Sequence, residues 1–323
     1  MKRVSIVVPV YNEEGNIRPF YQAICETMSR LPYDWELLFV DDGSEDGSWQ
    51  ILEKLAQKDS RVQPMQLSRN MGHQLALTCG MDHAEGDAVI TMDGDMQHPP
   101  SLIPTLTERW EQGYDIVQTI RKETMDASLF KRISSRAYYR LLNCLSDVPI
   151  SEGGSDFRLM DRKALQAFRH HREHVRFIRG MIGALGFRRT QVDFIAPPRH
   201  TGTSKFSLKK MLHLAIDGVI ACSTLPLRFG LYIGGFCALV GIAIFVHALI
   251  EKYVFQDAVL GWTSILGSVV FFGGMQLVAL GLIGVYIGHI FEEVKHRPLY
   301  IVSHMKPKER GERERPKESG EPH

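Results

Sequence analysis

Two long stretches of this chain carry no formal charge, and they restrict its possible folds more than any other feature. Residues 229–250 and 259–291 contain no Asp, Glu, Lys or Arg. At about 1.5 Å of rise per helical residue, the first reaches roughly the 30 Å of a bilayer core. The second exceeds one crossing, so it must tilt or continue as a helix beyond the lipid. Between them, Glu251, Lys252 and Asp257 break the apolar run as a hairpin loop would. Arg228 precedes the pair and Lys295, Arg297, Lys306 and Lys308 follow it, against Lys252 alone in the loop. That bias predicts two spans in the inner or plasma membrane with both termini cytoplasmic. Residues 1–10 show no signal-peptide pattern, which predicts that the large N-terminal domain stays on the cytoplasmic side.

Glycines recur in the spans at helical spacing, Gly230 with Gly234 and Gly284 with Gly288. Such spacing lets helix backbones approach closely, within the hairpin or between copies in a homo-oligomer. Cys25, Cys79, Cys144, Cys222 and Cys237 are scattered without CxxC spacing, so neither a disulfide framework nor a zinc site is indicated.

Apolar β-branched runs at 4–10, 37–40 and 88–92 alternate with helical patterns such as 50–57 and 102–110. The alternation predicts an α/β domain with a doubly wound, mostly parallel sheet, whose ligands bind beyond the carboxyl ends of the strands. Polar clusters fall at those ends: Pro9, Tyr11, Asn12 and Glu13; Asp41, Asp42, Gly43 and Ser44; and Asp93-Gly94-Asp95-Met96-Gln97. There is no G-x-G-x-x-G and no P-loop pattern, which sets aside Rossmann and Walker-type phosphate sites. Asp93 and Asp95 lie two residues apart at a strand end. Their mutual repulsion is relieved by a hard divalent cation, whose remaining positions suit diphosphate oxygens.

Segments 130–145 and 207–224 mix basic, aromatic and apolar residues. The first suits an ordinary core-facing helix. The second directly precedes the first span and suits a helix in the headgroup layer. The expected organisation is a catalytic domain over 1–206, an interfacial helix over 207–226, two spans within 227–291 and a charged tail over 292–323, disordered towards its end. His170, His171 and His174 lie among Arg169, Arg172, Glu173 and Arg176, and are expected on a solvated surface rather than at a metal.

Val7-Val8-Pro9-Val10-Tyr11-Asn12-Glu13-Glu14, Asp41-Asp42-Gly43-Ser44, Ser68-Arg69-Asn70-Met71-Gly72 and Asp93-Gly94-Asp95-Met96-Gln97-His98-Pro99-Pro100 resemble, in this order, the motifs of family 2 glycosyltransferases with the GT-A fold. The segments 155–162 and 199–207 resemble the acceptor-side motifs of the polyprenyl-phosphate branch, which includes dolichyl-phosphate mannose synthase and bacterial bactoprenyl-phosphate glycosyltransferases. The resemblance covers nearly the whole chain. It implies that Pro9, Tyr11, Glu13 and Asp42 hold the nucleoside and that Asp93, Asp95 and Gln97 hold Mg²⁺ or Mn²⁺. It places Asp156 near the reacting centre, with Arg121, Arg199, Ser204 and Lys205 on phosphates. Relatives often carry an acid where this chain has His98, so any contact made by that acid is expected to be lost. No Gln-x-x-Arg-Trp motif occurs, which weighs against processive polysaccharide synthases.

The implied activity is inverting transfer of one sugar, from UDP-glucose or UDP-N-acetylglucosamine, to a polyprenyl phosphate such as undecaprenyl phosphate. GDP-mannose as donor, a glycerolipid as acceptor and a non-catalytic nucleotide-sugar-binding scaffold are the alternatives. Membrane lipid, a second copy of the chain and a flippase for the lipid-linked sugar are the expected partners, and no nucleic acid is.

Overall fold

The computed structural model describes residues 1–122, 154–174, 176–197, 225–250 and 262–305. In chain order the strands are β1 (Arg3–Val10), β2 (Asp34–Asp41), β3 (Val62–Leu67), β4 (Ala88–Thr91), β5 (Ile116–Lys122), β6 (Gly154–Asp161), β7 (Arg189–Ile195) and β8 (Val302–Met305). The helices are α1 (Glu14–Met28), α2 (Ser48–Lys58), α3 (His73–His83), α4 (Ile103–Glu111), α5 (Arg162–His170), α6 (Ile178–Ala184), α7 (Leu225–Ile250) and α8 (Trp262–Val294). The eight strands form one sheet in the order β7-β5-β6-β4-β1-β2-β3-β8.

β4, β1, β2 and β3 run parallel, as the alternating pattern predicts. β6 and β8 run antiparallel to their neighbours, so the sheet is mixed. From β1 the chain winds outward through β2 and β3, then returns to place β4 on the other side of β1. Such a reversal opens a crevice between diverging connections at the strand ends, where α/β sheets bind ligands.

The central strands are apolar on both faces because helices cover both. Val4, Ile6, Val8 and Val10 meet Ile17, Phe20, Ile24 and Met28 of α1, whose spacing of three to four residues forms one apolar stripe. Val7, Leu38 and Val40 point the other way, into Leu77, Cys79 and Met81 of α3. The approach of α3 is close enough to require glycine at one position, since a Cβ on Gly80 would overlap Val7 Cγ1. We expect Gly80→Val to destabilise the domain by at least about 1–3 kcal/mol, the usual range for overpacking a filled core. Thermal unfolding checks this, and an unchanged Tm would contradict the packing.

After α8, ahead of the part of the tail expected to be disordered, β8 adds to the free edge of β3, and Ser68 N–H donates to Ile301 O. Tyr300 Oη–H donates to Asp82 Oδ2 at 2.8 Å, and the same carboxylate oxygen accepts from Arg172. His174 bonds through its N–H and Nδ1 to Glu293, so it joins the end of α8 to the α/β domain rather than lying solvated. Arg176 is likewise buried, stacked over the Phe168 ring. His170 is exposed as expected.

α8 contains a segment, Phe271–Val294, with mean hydropathy 1.7 and none of its apolar window buried. Among the described residues it is the one helical segment long and apolar enough to cross a membrane. α7 is a helix over the first uncharged stretch. Its Gly230 lies 3.8 Å from Leu282 when a Cβ is added, and Cys237 Sγ lies 3.1 Å from Met275 Sδ. The two contacts run in opposite chain directions, so α7 and α8 pack antiparallel. The interfacial segment 207–224, the loop 251–257 and the tail beyond Met305 lie outside the described residues, as do Cys144 and Cys222; the three described cysteines are free.

Candidate active site

Three loops meet at the carboxyl ends of β1, β2 and β4. Asn12 N–H donates to Ser44 Oγ, and Asn12 Oδ1 accepts from Glu45 N–H, which joins the loop after β1 to the loop after β2. Asn12 sits at φ 53°, a left-handed conformation that asparagine tolerates better than most residues. The loop after β2 meets the loop after β3 even more closely. Gly43 has φ +69°, and a Cβ there would lie 2.7 Å from the backbone of Arg69 and Asn70. Only glycine fits that position without displacing main chain.

Asp42 reinforces the same junction. It is 3% exposed, and its carboxylate accepts from the N–H groups of Met71 and Gly72. Burial pushes its carboxyl pKa up, against the opposing pull of those two donors. Its side chain therefore holds the loop that leads into α3. Pro9 is buried in β1 opposite Val40, while Tyr11 and Glu13 are half-buried just beyond the strand. Glu13 Oε2 accepts from Asn16 Nδ2 at 2.5 Å.

The Asp93–Asp95 loop lies against the end of β1. A Cβ on Gly94 would stand 3.3 Å from Val8 Cγ1 and 3.7 Å from Pro9 O, so the small residue lets the acidic pair sit beside the first loop. Asp95 Oδ1 accepts from Gln97 N–H at 3.0 Å, and the turn passes through Met96 at φ 64°. Gln97 Oε1 is 3.4 Å from Arg121 Nη1 on β5. Asp93 Oδ1 is buried and has no hydrogen-bond partner among the described residues.

Asp156 enters from β6, which lies beside β4 with its backbone carbonyl taking the Thr91 hydroxyl. The carboxylate is 8% exposed and bonded to Arg158 Nη2 at 2.7 Å and to Arg179 Nε and Nη2 at 3.2 Å. Burial disfavours its charge, but the Arg179 and Arg158 cations and His73 outweigh burial and hold its carboxyl well below the usual range. Arg158 is almost wholly buried. Burial pulls its pKa down to about 10 despite Asp156, and its Nε and Nη1 lack hydrogen-bond partners among the described residues.

His73, the first residue of α3, bridges the two acidic positions: Nε2 is 3.4 Å from Asp93 Oδ1 and 3.7 Å from Asp156 Oδ2. Desolvation lowers its pKa, yet the neighbouring Asp93 and Asp156 carboxylates raise it to about 9. Sequence reading missed His73, Arg158 and Arg179. The first directly follows a recognised motif and the second lies within one, so proximity to those motifs was the available signal. Arg199, Ser204 and Lys205 lie outside the described residues.

Asp93 Oδ1, which faces the His73 imidazole at 3.4 Å but accepts no hydrogen bond among the described residues, shares its loop with Asp95 and Gln97, a hard-donor set that fits Mg²⁺ or Mn²⁺. No group of three or more His, Cys, Asp or Glu arranged to hold a metal occurs among the described residues. A site with few protein ligands agrees with the habit of Mg²⁺ of taking one or two carboxylates and completing its shell with substrate phosphates and water.

The glycosyl transferase family 2 model matches residues 5–169, covering all three loops and Asp156. The chain belongs to glycosyl transferase family 2. Its sheet is the GT-A-like mixed α/β arrangement expected of that family. It is 41% identical over 298 residues to the uncharacterized glycosyltransferase YkcC of Bacillus subtilis, covering 92% of each chain. It is 39% identical over 306 residues to the bactoprenol glucosyl transferase of Shigella phage SfV, covering 95% of this chain and 100% of the relative. Among solved structures, mannosyl-3-phosphoglycerate synthase from Rubrobacter xylanophilus aligns with a TM-score of 0.47 at 18% identity, covering 70% of this chain and 74% of that one.

Proposed function

We propose that this glycosyltransferase moves one sugar from a cytosolic nucleotide sugar to a polyprenyl phosphate at the membrane surface, with inversion and with a divalent cation. The observation that carries the reading is the buried Asp93 oxygen, which accepts no hydrogen bond among the described residues and has the His73 imidazole 3.4 Å away, set beside Asp95 at the strand-end crevice. The relatives named bactoprenol glucosyl transferases support the acceptor class. The long apolar stretches within α7 and α8 support a two-span hairpin that keeps the catalytic domain and both termini cytoplasmic, and glycine-lined helix faces suit a homo-oligomer. A flippase would then carry the product across.

Asp93, Asp95 and Gln97 would hold Mg²⁺ or Mn²⁺, which neutralises the departing nucleoside diphosphate as a Lewis acid when bound. Pro9, Tyr11 and Glu13 border the nucleoside, and Asp42 shapes its wall by fixing residues 71 and 72. The acceptor is a phosphate monoester with a second pKa of about 6, largely a dianion at pH 7 and nucleophilic without a strong base. Asp156, held anionic by two guanidinium groups, orients cations around the acceptor rather than taking a proton. Arg121, Arg199, Ser204 and Lys205 would bind the phosphates.

Loss of Arg199 or Lys205 is expected to weaken use of the lipid phosphate more than binding of the nucleotide sugar, by about 2–5 kcal/mol for a desolvated charge pair. Separate titrations of donor and acceptor check this, and a loss confined to the donor moves both residues to the diphosphate side. UDP-glucose and UDP-N-acetylglucosamine are the proposed donors. A panel of these two and GDP-mannose, with purified full-length protein and undecaprenyl phosphate, tests that choice: turnover with GDP-mannose alone would overturn it.

A further inference from the structure

The acid expected at position 98 is replaced by a histidine that uses both ring nitrogens. His98 is 5% exposed. Its Nδ1 accepts the backbone N–H of Asp93 at 2.8 Å, so the proton of the ring sits on Nε2, which lies 2.7 Å from Ser155 Oγ. Ser155 Oγ is braced in turn by Phe157 N–H at 3.2 Å. The ring cannot swing away, because it stacks on Phe157 at 5.2 Å between centroids and meets Phe194 edge-on at 6.0 Å. Nε2 also passes within 3.6 Å of Asp93 Oδ2.

The far anchor matters as much as the near one, since Ser155 immediately precedes Asp156. A single imidazole thus spans from the acidic loop after β4 to the strand that presents Asp156. We propose that His98 is a positioning residue that sets the aim of the Asp93 carboxylate, and that it does so through its Nδ1 bond to the Asp93 backbone, with Ser155 as the prop. The inference rests on the metal reading of Asp93 and Asp95. A histidine buried only for packing would be replaceable by any side chain of similar volume. A strut is sensitive to which nitrogen is kept.

Two substitutions separate those roles. In His98→Asn the amide oxygen occupies the place of Nδ1 and can still accept from Asp93 N–H. In His98→Gln the amide reaches the place of Nε2 and Ser155, but the acceptor for Asp93 is gone. Mn²⁺ binding is measured by EPR of the free ion, on full-length protein in detergent with saturating UDP and without acceptor, so that turnover plays no part. Melting temperature serves as the check on folding.

Wild-type protein is expected to bind Mn²⁺, His98→Asn to bind within about threefold of it, and His98→Gln to bind about 10–100-fold more weakly, the span typical of residues that orient a ligand. Ser155→Ala, which leaves the ring intact, is expected to fall between them. Asn and Gln variants of equal affinity, whether both weak or both like wild type, would overturn the strut while leaving the metal reading in place. Failure of the wild-type protein itself to bind Mn²⁺ would overturn the metal reading and this inference with it.

Discussion

Asp95→Ala is expected to abolish sugar transfer while leaving the fold intact. The side chain sits in a loop beyond β4, outside the core that β1, α1 and α3 build, and it accepts from Gln97 N–H within its own turn. Residues standing behind a metal ligand already change affinity or activity by about 10–100-fold, so loss of a ligand itself should cost at least about 10³-fold in kcat/KM. Chelation with EDTA should mimic the substitution, and added Mn²⁺ or Mg²⁺ should restore wild-type protein but not the variant. Turnover unchanged by either treatment would remove the cation from the reaction.

Asp156→Asn carries the second large effect, and here stability and rate must be read separately. Arg158 is fully buried, and Asp156 is its close counterion at 2.7 Å. Removing that charge leaves a guanidinium uncompensated in the interior, which costs about 3–5 kcal/mol when one partner of a buried pair is lost. Chemical denaturation should reveal the loss. Its pH dependence has a definite sign: a carboxyl held well below its unfolded pKa near 3.8 contributes stability that is full above that value and disappears as pH falls towards the folded pKa. The wild-type advantage over the variant should therefore be constant at neutral pH and shrink in acid.

Among folded molecules of that variant the rate is expected to fall less than about 10⁴-fold, the upper end for an ordinary general base. A carboxylate held this acidic is a poor proton acceptor at pH 7. The pH profile of wild-type turnover should follow the lipid phosphate near ~6 instead. A loss beyond 10⁴-fold in folded, donor-binding protein would make Asp156 an indispensable base.

The readable parts of the site were those written locally. A strand ending in Asp93-Gly94-Asp95 can be recognised because period, turn and acidic pair occupy one short window, and β1 with β2 follow from unbroken apolar runs. His73, Arg179 and His98 act across distances that no window contains: His98 meets Ser155 across 57 positions and Arg179 meets Asp156 across 23. Arg158 sits in an apolar strand, and its burial is accounted for by the Asp156 counterion and the Ser155 carbonyl, which both accept from Nη2. β8 was hidden for a different reason. A four-residue strand in a charged tail has little propensity of its own, and it forms because the edge of β3 offers unpaired backbone groups. The antiparallel direction of β6 is likewise not specified by the alternation of strand and helix.

Whether a lipid phosphate accepts the sugar is decided by one assay. Full-length protein in detergent, with Mn²⁺ and radiolabelled UDP-sugar, is given undecaprenyl phosphate, undecaprenol or diacylglycerol, and both UDP release and labelled lipid are counted. The account predicts one UDP released per labelled lipid formed with undecaprenyl phosphate, and background with the other two. Equal labelling of diacylglycerol, or UDP release that ignores the lipid phosphate, would contradict it.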